Sequence, residues 1–372
     1  MTRPRRYALA IELTAFCNQK CGYCYNDWRA EPGEIGSLPR EELLGLVDRA
    51  LTEVDFDHLT LTGGEPFARP EVFEVLEVAR RHGKRALIIS NGGLVTEAHA
   101  ERLAPLNPLF VQITLNGPTA ELHEEHVGKG HFEPTLRGIR ALKARGVTVA
   151  GSIVVTRKNA GVVGEILKVF QSLGVRDVAL SRYSPAGYAS EQVAELLPSR
   201  SELLGALQQA EPFGAGGMSL QVTMPVPPCV IDTAEFPNIR FSSCPIGTEM
   251  QEFTLGPRGE LRQCTLHATS LGDARSSSFA ELVTSEAVST YRDTTPEFCE
   301  PCPMKAQCIG GCGAAAVAVH GARGLDPLVA QHVDETFSAA LRDARSRGAQ
   351  LVPAGRLARR AASSSPGEGV AS

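Results

Sequence analysis

From Tyr7 to Tyr183 short apolar stretches alternate with segments whose apolar residues recur at helical spacing, the pattern of strands alternating with amphipathic helices. A strand–helix–strand run places its strands side by side and parallel, because the helix returns the chain to its starting end. The predicted strands are Tyr7–Leu13, His58–Leu61, Arg85–Ser90, Leu109–Leu115, Thr148–Thr156 and Asp177–Tyr183. Between them helices are predicted near Arg40–Glu53, Pro70–His82, Thr96–Leu103, Phe132–Arg145 and Ala160–Leu173. The fold class is therefore α/β, with too few units for a closed eight-stranded barrel.

In parallel barrels of this kind chemistry sits at the C-terminal ends of the strands, and the residues able to do it gather there. Cys17, Cys21 and Cys24 follow the first strand, and Thr62-Gly63-Gly64-Glu65-Pro66 the second. Ser90-Asn91-Gly92 closes the third and Asn116-Gly117-Pro118 the fourth. Thr156 and Asn159 follow the fifth strand, and Arg182 ends the sixth. Gly63 and Gly64 lack side chains and so let a ligand reach the backbone.

Cys17, Cys21 and Cys24 stand in a C-x₃-C-x₂-C spacing with Tyr23 just before the last. Three close-set thiolates suit an iron–sulfur cluster with one open iron. A zinc site that borrows a distant His or Cys is the other reading of the trio alone. Taken with its place after the first strand, the trio resembles the radical S-adenosylmethionine (SAM) superfamily. The resemblance implies a partial (β/α)₆ TIM-like barrel, a [4Fe-4S] cluster on Cys17, Cys21 and Cys24, and SAM on the fourth iron. It implies that SAM is cleaved to a 5′-deoxyadenosyl radical. It also implies that Gly63, Gly64, Glu65 and Pro66 receive the SAM amino group, that Ser90 and Asn91 lie near the ribose, and that Ser152 makes a fifth-strand contact. Arg182 is expected near the SAM carboxylate or, equally, as a solvated surface arginine. Relatives often carry S-L-D-G at the fourth strand end, where this chain has Thr114-Leu115-Asn116-Gly117. Asn keeps a hydrogen-bonding oxygen but is no base.

Seven of the ten Cys lie between residues 229 and 312. Cys244 is followed by fourteen residues, Gly259, four more and Cys264; Cys299, Cys302, Cys308 and Cys312 stand at C-x₂-C-x₅-C-x₃-C. This pattern resembles the SPASM extension of radical SAM enzymes, which implies one or two auxiliary [4Fe-4S] clusters. The carry-over puts Cys244, Cys264 and Cys312 on the first and Cys299, Cys302 and Cys308 on the second. The pattern's seventh Cys is absent, and Val329 or a neighbour stands in its place. Either the second cluster has an open iron, or another group completes it, Asp326 being expected ahead of His320. Cys229 is read as the fourth ligand of the first auxiliary cluster, as a thiol returning a hydrogen atom to a substrate radical, or as a thiol without a role.

The expected divisions are residues 1–183 for the barrel, 184–228 for a Gly- and Pro-containing bridge, 229–335 for the Cys-rich domain, and 336–372 for a helix and a disordered tail. A net charge of −5 gives no reason to expect nucleic acid or an anionic membrane. The N-terminal stretch lacks a signal-peptide pattern, so the ten Cys are read as serving metal in the cytoplasm rather than disulfides. His123 and His126 sit one turn apart and are read as structural. The expected activity is radical modification of a peptide in natural-product maturation by crosslink, thioether, oxidation or epimerisation; the alternative substrate is a sugar or cofactor precursor. The expected partners are the peptide, a reductant such as flavodoxin or ferredoxin, and a separate leader-peptide-binding protein, since the barrel begins close to the terminus.

Overall fold

In a computed structural model of the 372-residue chain, residues 6–26 and 36–346 are described. The part of the predicted helix and tail beyond residue 346 lies outside them. The six predicted units form: β1 (Ala8–Glu12), α1 (Arg40–Glu53), β2 (His58–Thr62), α2 (Glu71–Arg81), β3 (Arg85–Ser90), α3 (Glu97–Leu103), β4 (Val111–Thr114), α4 (Ala120–Val127), α5 (Phe132–Ala144), β5 (Val149–Val155), α6 (Val163–Ser172) and β6 (Asp177–Arg182). β1 is buried along its whole length, as a central parallel strand covered on both faces must be. α1 turns Leu43, Leu46, Val47, Ala50 and Leu51 inward and carries Glu41 and Glu42 in its first turn, where acidic side chains suit the helix dipole.

The parallel sheet continues past the sixth unit. After α7 (Val193–Leu196) and α8 (Arg200–Ala215) come β7 (Ser219–Val222) and β8 (Ile239–Phe241), which extend the sheet from β6. α8 starts at a capping box, Ser199 with Glu202, which satisfies two free N–H groups reciprocally. On the other edge β9 (Glu252–Leu255) pairs in parallel with β1, Leu9 opposite Phe253, and β10 (Glu260–Arg262) and β11 (Ser270–Asp273) follow antiparallel. The order is β11-β10-β9-β1-β2-β3-β4-β5-β6-β7-β8. One layer thus continues from the barrel into the Cys-rich segment, and β1, with its cysteine loop, is interior because β9 covers it.

The rest of the Cys-rich segment is short helices and turns, α9 (Phe279–Val283), α10 (Glu286–Ser289), α11 (Lys305–Cys308) and α12 (Gly313–His320), before α13 (Pro327–Ser346). Residues to Val329 cluster as one compact unit; from Ala330 the described chain is the remainder of α13. Among the described residues no helix is long and apolar enough to cross a membrane.

Candidate functional site

The cysteine loop and the Gly-Gly turn are built as one piece. Beyond β1 and β2 the two chains stay paired: Leu13 N–H donates to Thr62 O (2.9 Å), Gly64 N–H to Thr14 O (2.7 Å) and Glu65 N–H to Phe16 O (2.8 Å). A Cβ on Gly64 would stand 1.9 Å from Phe16 O, and Gly63 has φ +128°. Both positions therefore require glycine, because the cysteine loop's own backbone presses against them.

Glu65 is fully buried and braces this junction from behind. Its carboxylate accepts Phe67 N–H (3.0 Å), Ser90 Oγ (2.8 Å) and Asn91 N–H (2.8 Å). Burial raises its pKa to about 7 against those donors. Asn91 Nδ2 then reaches Asn18 Oδ1 (2.8 Å) and Cys17 Sγ (3.7 Å), tying the third strand end to the loop.

A pocket opens above, lined by Cys17, Cys21 and Cys24 together with Gly63, Gly64, Ser90 and Asn91, and by Gln19, Asn26 and Thr114. Gln19 Nε2 and Asn26 Oδ1 are buried with no hydrogen-bond partner among the described residues. A buried polar group without a partner is costly, so a donor and an acceptor here await a polar ligand. Burial pushes the Cys17 thiol up to about 11, with Glu65 and Cys24 adding to the rise. Such a thiol is no nucleophile at neutral pH, whereas a coordinating metal deprotonates it outright. Tyr23 packs against Tyr183, Ala189, Leu196 and Leu197, and Ala189 N–H donates to Cys24 O (2.9 Å), so the turn after β6 clamps the loop.

Other predicted site residues are placed differently. Glu65 and Pro66 support the pocket without lining it, and Ser152 is buried in β5 opposite Thr114, the residue that does line it. Arg182 is neither at this pocket nor on the surface. It is 1% exposed, donates Nε to Pro225 O (2.7 Å) and Nη1 to Tyr183 O (3.3 Å), and pairs through Nη2 with Asp326. Asn116 is buried and joins strand ends, its Oδ1 accepting Val154 N–H (2.8 Å) and its N–H donating to His123 Nδ1 (3.1 Å). His126 meets Thr156 Oγ1 (2.9 Å) in the same network.

The Cys-rich segment holds two further groups. Cys244, Cys264 and Cys312 feel one another's charge, and burial pushes Cys244 up to about 11 and Cys264 to about 12. Beside them Tyr291 hydroxyl and Arg323 Nε and Nη1 are buried without partners among the described residues; the Arg323 guanidinium lies 4.2 Å from the Tyr291 ring centroid. Three thiols surrounded by unengaged donors fit an anionic iron–sulfur cluster, whose sulfurs accept hydrogen bonds. Cys299, Cys302 and Cys308 form the other group and influence one another in the same way. Burial pushes the Cys229 thiol up, with the charges of Cys308, Cys299 and Cys302 adding to the rise.

Asp326, the expected replacement ligand, is fully buried, and its carboxylate is engaged by Arg182, Cys312 N–H (2.7 Å) and Leu328 N–H (2.9 Å). His320 is exposed at the end of α12. None of the ten Cys, all of them among the described residues, is in a disulfide. Among the described residues no three His, Cys, Asp or Glu converge closely enough for a single metal ion, as a tetrahedral zinc site would need.

Comparison with known proteins agrees with this geometry. Residues 11–170 match the model of the radical SAM superfamily. The chain is similar to the AdoMet-dependent heme synthase of Oleidesulfovibrio alaskensis, 32% identical over 51% of this chain and 48% of the relative. It is similar to mycofactocin maturase MftC of Mycobacterium tuberculosis, 29% identical over 52% of this chain and 49% of the relative. The matches thus span about half the length of those two proteins. The PqqA peptide cyclase of Ruegeria pomeroyi is 27% identical over 94% of this chain and 93% of the relative. Two solved structures share the fold: anSMEcpe with bound AdoMet (TM-score 0.67, 19% identity, 93% of this chain and 100% of that one) and Streptococcus suis SuiB bound to its precursor peptide SuiA (TM-score 0.67, 14% identity, 88% and 75%). With the cysteine trio, the Gly-Gly turn and the third strand end meeting in one pocket inside the matched segment, residues 11–170 carry a radical SAM domain.

Proposed function

We propose that this chain uses SAM to start a radical reaction on a peptide, leaving a crosslink, a thioether, an oxidised residue or an inverted stereocentre. The observation that carries the reading is the pocket in which Cys17, Cys21 and Cys24 face Gly63, Gly64 and Asn91 beside the unpartnered polar atoms of Gln19 and Asn26. The three thiolates would hold a [4Fe-4S] cluster, which when bound supplies the electron that cleaves SAM to a 5′-deoxyadenosyl radical.

The chain's own residues bind and orient. The Gly63–Gly64 backbone and the Gln19 and Asn26 side chains meet the polar end of SAM. Glu65 fixes Asn91, and Asn91 fixes the Cys17 loop. Tyr23 and its apolar neighbours keep water from one side of the loop. Cys244, Cys264 and Cys312, with Tyr291 and Arg323 as donors, would hold an auxiliary cluster able to take an electron from the substrate; Cys299, Cys302 and Cys308 belong to a second. A peptide substrate is supported by the similarity to a peptide cyclase over nearly the whole chain. A flavodoxin- or ferredoxin-like reductant and a separate leader-binding protein complete the cytoplasmic system. The half-length similarity to a heme synthase favours a cofactor precursor as the second reading.

The test is the mass of a short peptide encoded beside the gene after anaerobic incubation with reconstituted protein, reductant and SAM in D₂O. Loss of a hydrogen pair means crosslinking or oxidation, and uptake of a solvent deuteron means epimerisation. 5′-Deoxyadenosine formed with an unchanged peptide overturns the peptide reading in favour of a small molecule.

A further inference from the structure

The end of β3 has a cavity on each side. On one side Ser90 and Asn91 line the pocket of the cysteine trio. On the other, beginning at Gly93, a groove of about 460 Å³ opens between the start of α3 and α5, with Val95, Pro134, Arg137, Arg140 and Ala144 in its walls. One side chain joins the two. Asn91 Oδ1 accepts Gly93 N–H (2.8 Å), while Asn91 Nδ2 donates to Asn18 Oδ1 (2.8 Å) and lies 3.7 Å from Cys17 Sγ. α5 is held to the same strand end by Thr135, whose Oγ1 donates to Asn91 O (2.9 Å). The groove therefore ends one side chain away from a thiol of the trio, outside the pocket that the trio lines.

Its floor is apolar and its rim cationic. Val95 is buried and Pro134 and Ala141 are half-buried, while Arg137 and Arg140 are exposed. These two arginines share one face of α5, and neither has an ion-pair partner among the described residues. Glu97, the acid that lines the groove, is met by Arg145 (4.0 Å), which also reaches Glu101 (3.5 Å). Glu133, one turn before Arg137, is not among the lining residues. The groove thus carries uncompensated positive charge on a chain whose net charge is −5. An acidic protein is repelled by such a chain on average and settles where the local charge is opposite. Electron-transfer encounters need little area, below about 1,200 Å² in total, and rely on charge to orient them.

We propose that the groove between α3 and α5 is the docking surface for a small acidic electron-carrier protein, with Arg137 and Arg140 receiving its carboxylates. The inference rests on the reading of Cys17, Cys21 and Cys24 as cluster ligands. In each encounter the carrier is oxidised by one electron and the site of the trio is reduced by one; no bond is made or broken. Delivery from this side leaves the pocket to SAM and the substrate, so reductant and substrate do not compete for one opening.

The experiment compares the full reconstituted chain with R137E/R140E, using circular dichroism to confirm folding. Affinity for flavodoxin and for ferredoxin is measured by anaerobic calorimetry at low and physiological salt. 5′-Deoxyadenosine is measured with each carrier and with dithionite, a small reductant that needs no docking. R137E/R140E is expected to bind the carrier about tenfold more weakly or worse and to lose the salt dependence of binding. Carrier-driven cleavage of SAM should fall with the affinity, and dithionite-driven cleavage should be unchanged. R80E/R81E, at the C-terminal end of α2, makes the same change in net charge and is expected to keep carrier affinity within about twofold. Unchanged carrier affinity in folded R137E/R140E would overturn the proposal, as would an equal loss in R80E/R81E, an equal loss with dithionite, or no binding of either carrier to the unsubstituted chain. Absence of dithionite-driven cleavage by the unsubstituted chain would sink the radical reading, and the binding measurements would still decide the groove.

Discussion

Arg182 and Asp326 form an ion pair in which neither side chain is exposed, although 144 positions separate them in the chain. The pair ties the end of β6 to the loop before α13, and Asp326 at the same time receives Cys312 N–H. Breaking one half of a buried pair strands the other charge, at a cost of about 3–5 kcal/mol. Asp326→Ala is expected to lower stability by that amount in anaerobic urea unfolding and to release iron from the Cys244, Cys264 and Cys312 site. Arg182→Met with Asp326→Leu is expected to recover most of the stability. Additive losses in the double variant would mean that the two residues act separately.

Gly64 is where the Gly-Gly turn and the cysteine loop leave no room. A methyl group 1.9 Å from the Phe16 carbonyl oxygen meets backbone, not a movable side chain. Gly64→Ala is expected to displace Phe16 and Cys17, lower the iron bound by the first trio, and weaken SAM binding at least tenfold, about 1.4 kcal/mol. Calorimetric titration with SAM, beside an iron count, checks it; auxiliary iron should be retained.

The Tyr291 hydroxyl is buried with no partner among the described residues. Removing it should therefore cost the metal-free chain less than about 1 kcal/mol. If it donates to a cluster sulfur, as its neighbours Cys244, Cys312 and Cys264 imply, Tyr291→Phe lowers the reduction potential of that site. An EPR-monitored redox titration reads the shift, and an unmoved potential would show the hydroxyl points elsewhere.

His123 gives a pH dependence whose sign is fixed by burial. It is 1% exposed, and desolvation lowers it from 6.5 to about 4. Unfolded chain therefore binds the proton first as pH falls through 6.5, while the folded chain stays neutral there until about 4. Stability is constant above that window and declines within it, by about 1.3 kcal/mol between pH 7.5 and 5.5. Urea midpoints at the two pH values should show this slope, and His123→Gln should reduce it to the part owed to His126, which burial also lowers.

The helical period made the first six units legible, because the helices α1 to α6 that separate β1 to β6, four-residue β4 included, run seven residues or more. β7 to β11 run only three or four residues each, too few for a period, and they are strands because distant partners pair with them. Cys17, Cys21, Cys24, Gly63 and Gly64 were legible from spacing and place. Gln19 and Asn26 beside the cysteines were not, since a polar residue in a loop has no signature until burial leaves it unpartnered. Arg182 misled for the same reason: its partner lies far along the chain, and sequence spacing carries no sign of the pair.

The parallel pairing of β9 with β1 also sets a timetable for biosynthesis. Until Glu252–Leu255 has left the ribosome, β1 has a partner on one side only and presents an open row of backbone donors and acceptors on the other. At roughly 5–20 residues per second that exposure lasts on the order of 10–50 s. A nascent chain stopped after β6 is a sheet with one open edge beside its cysteine loop.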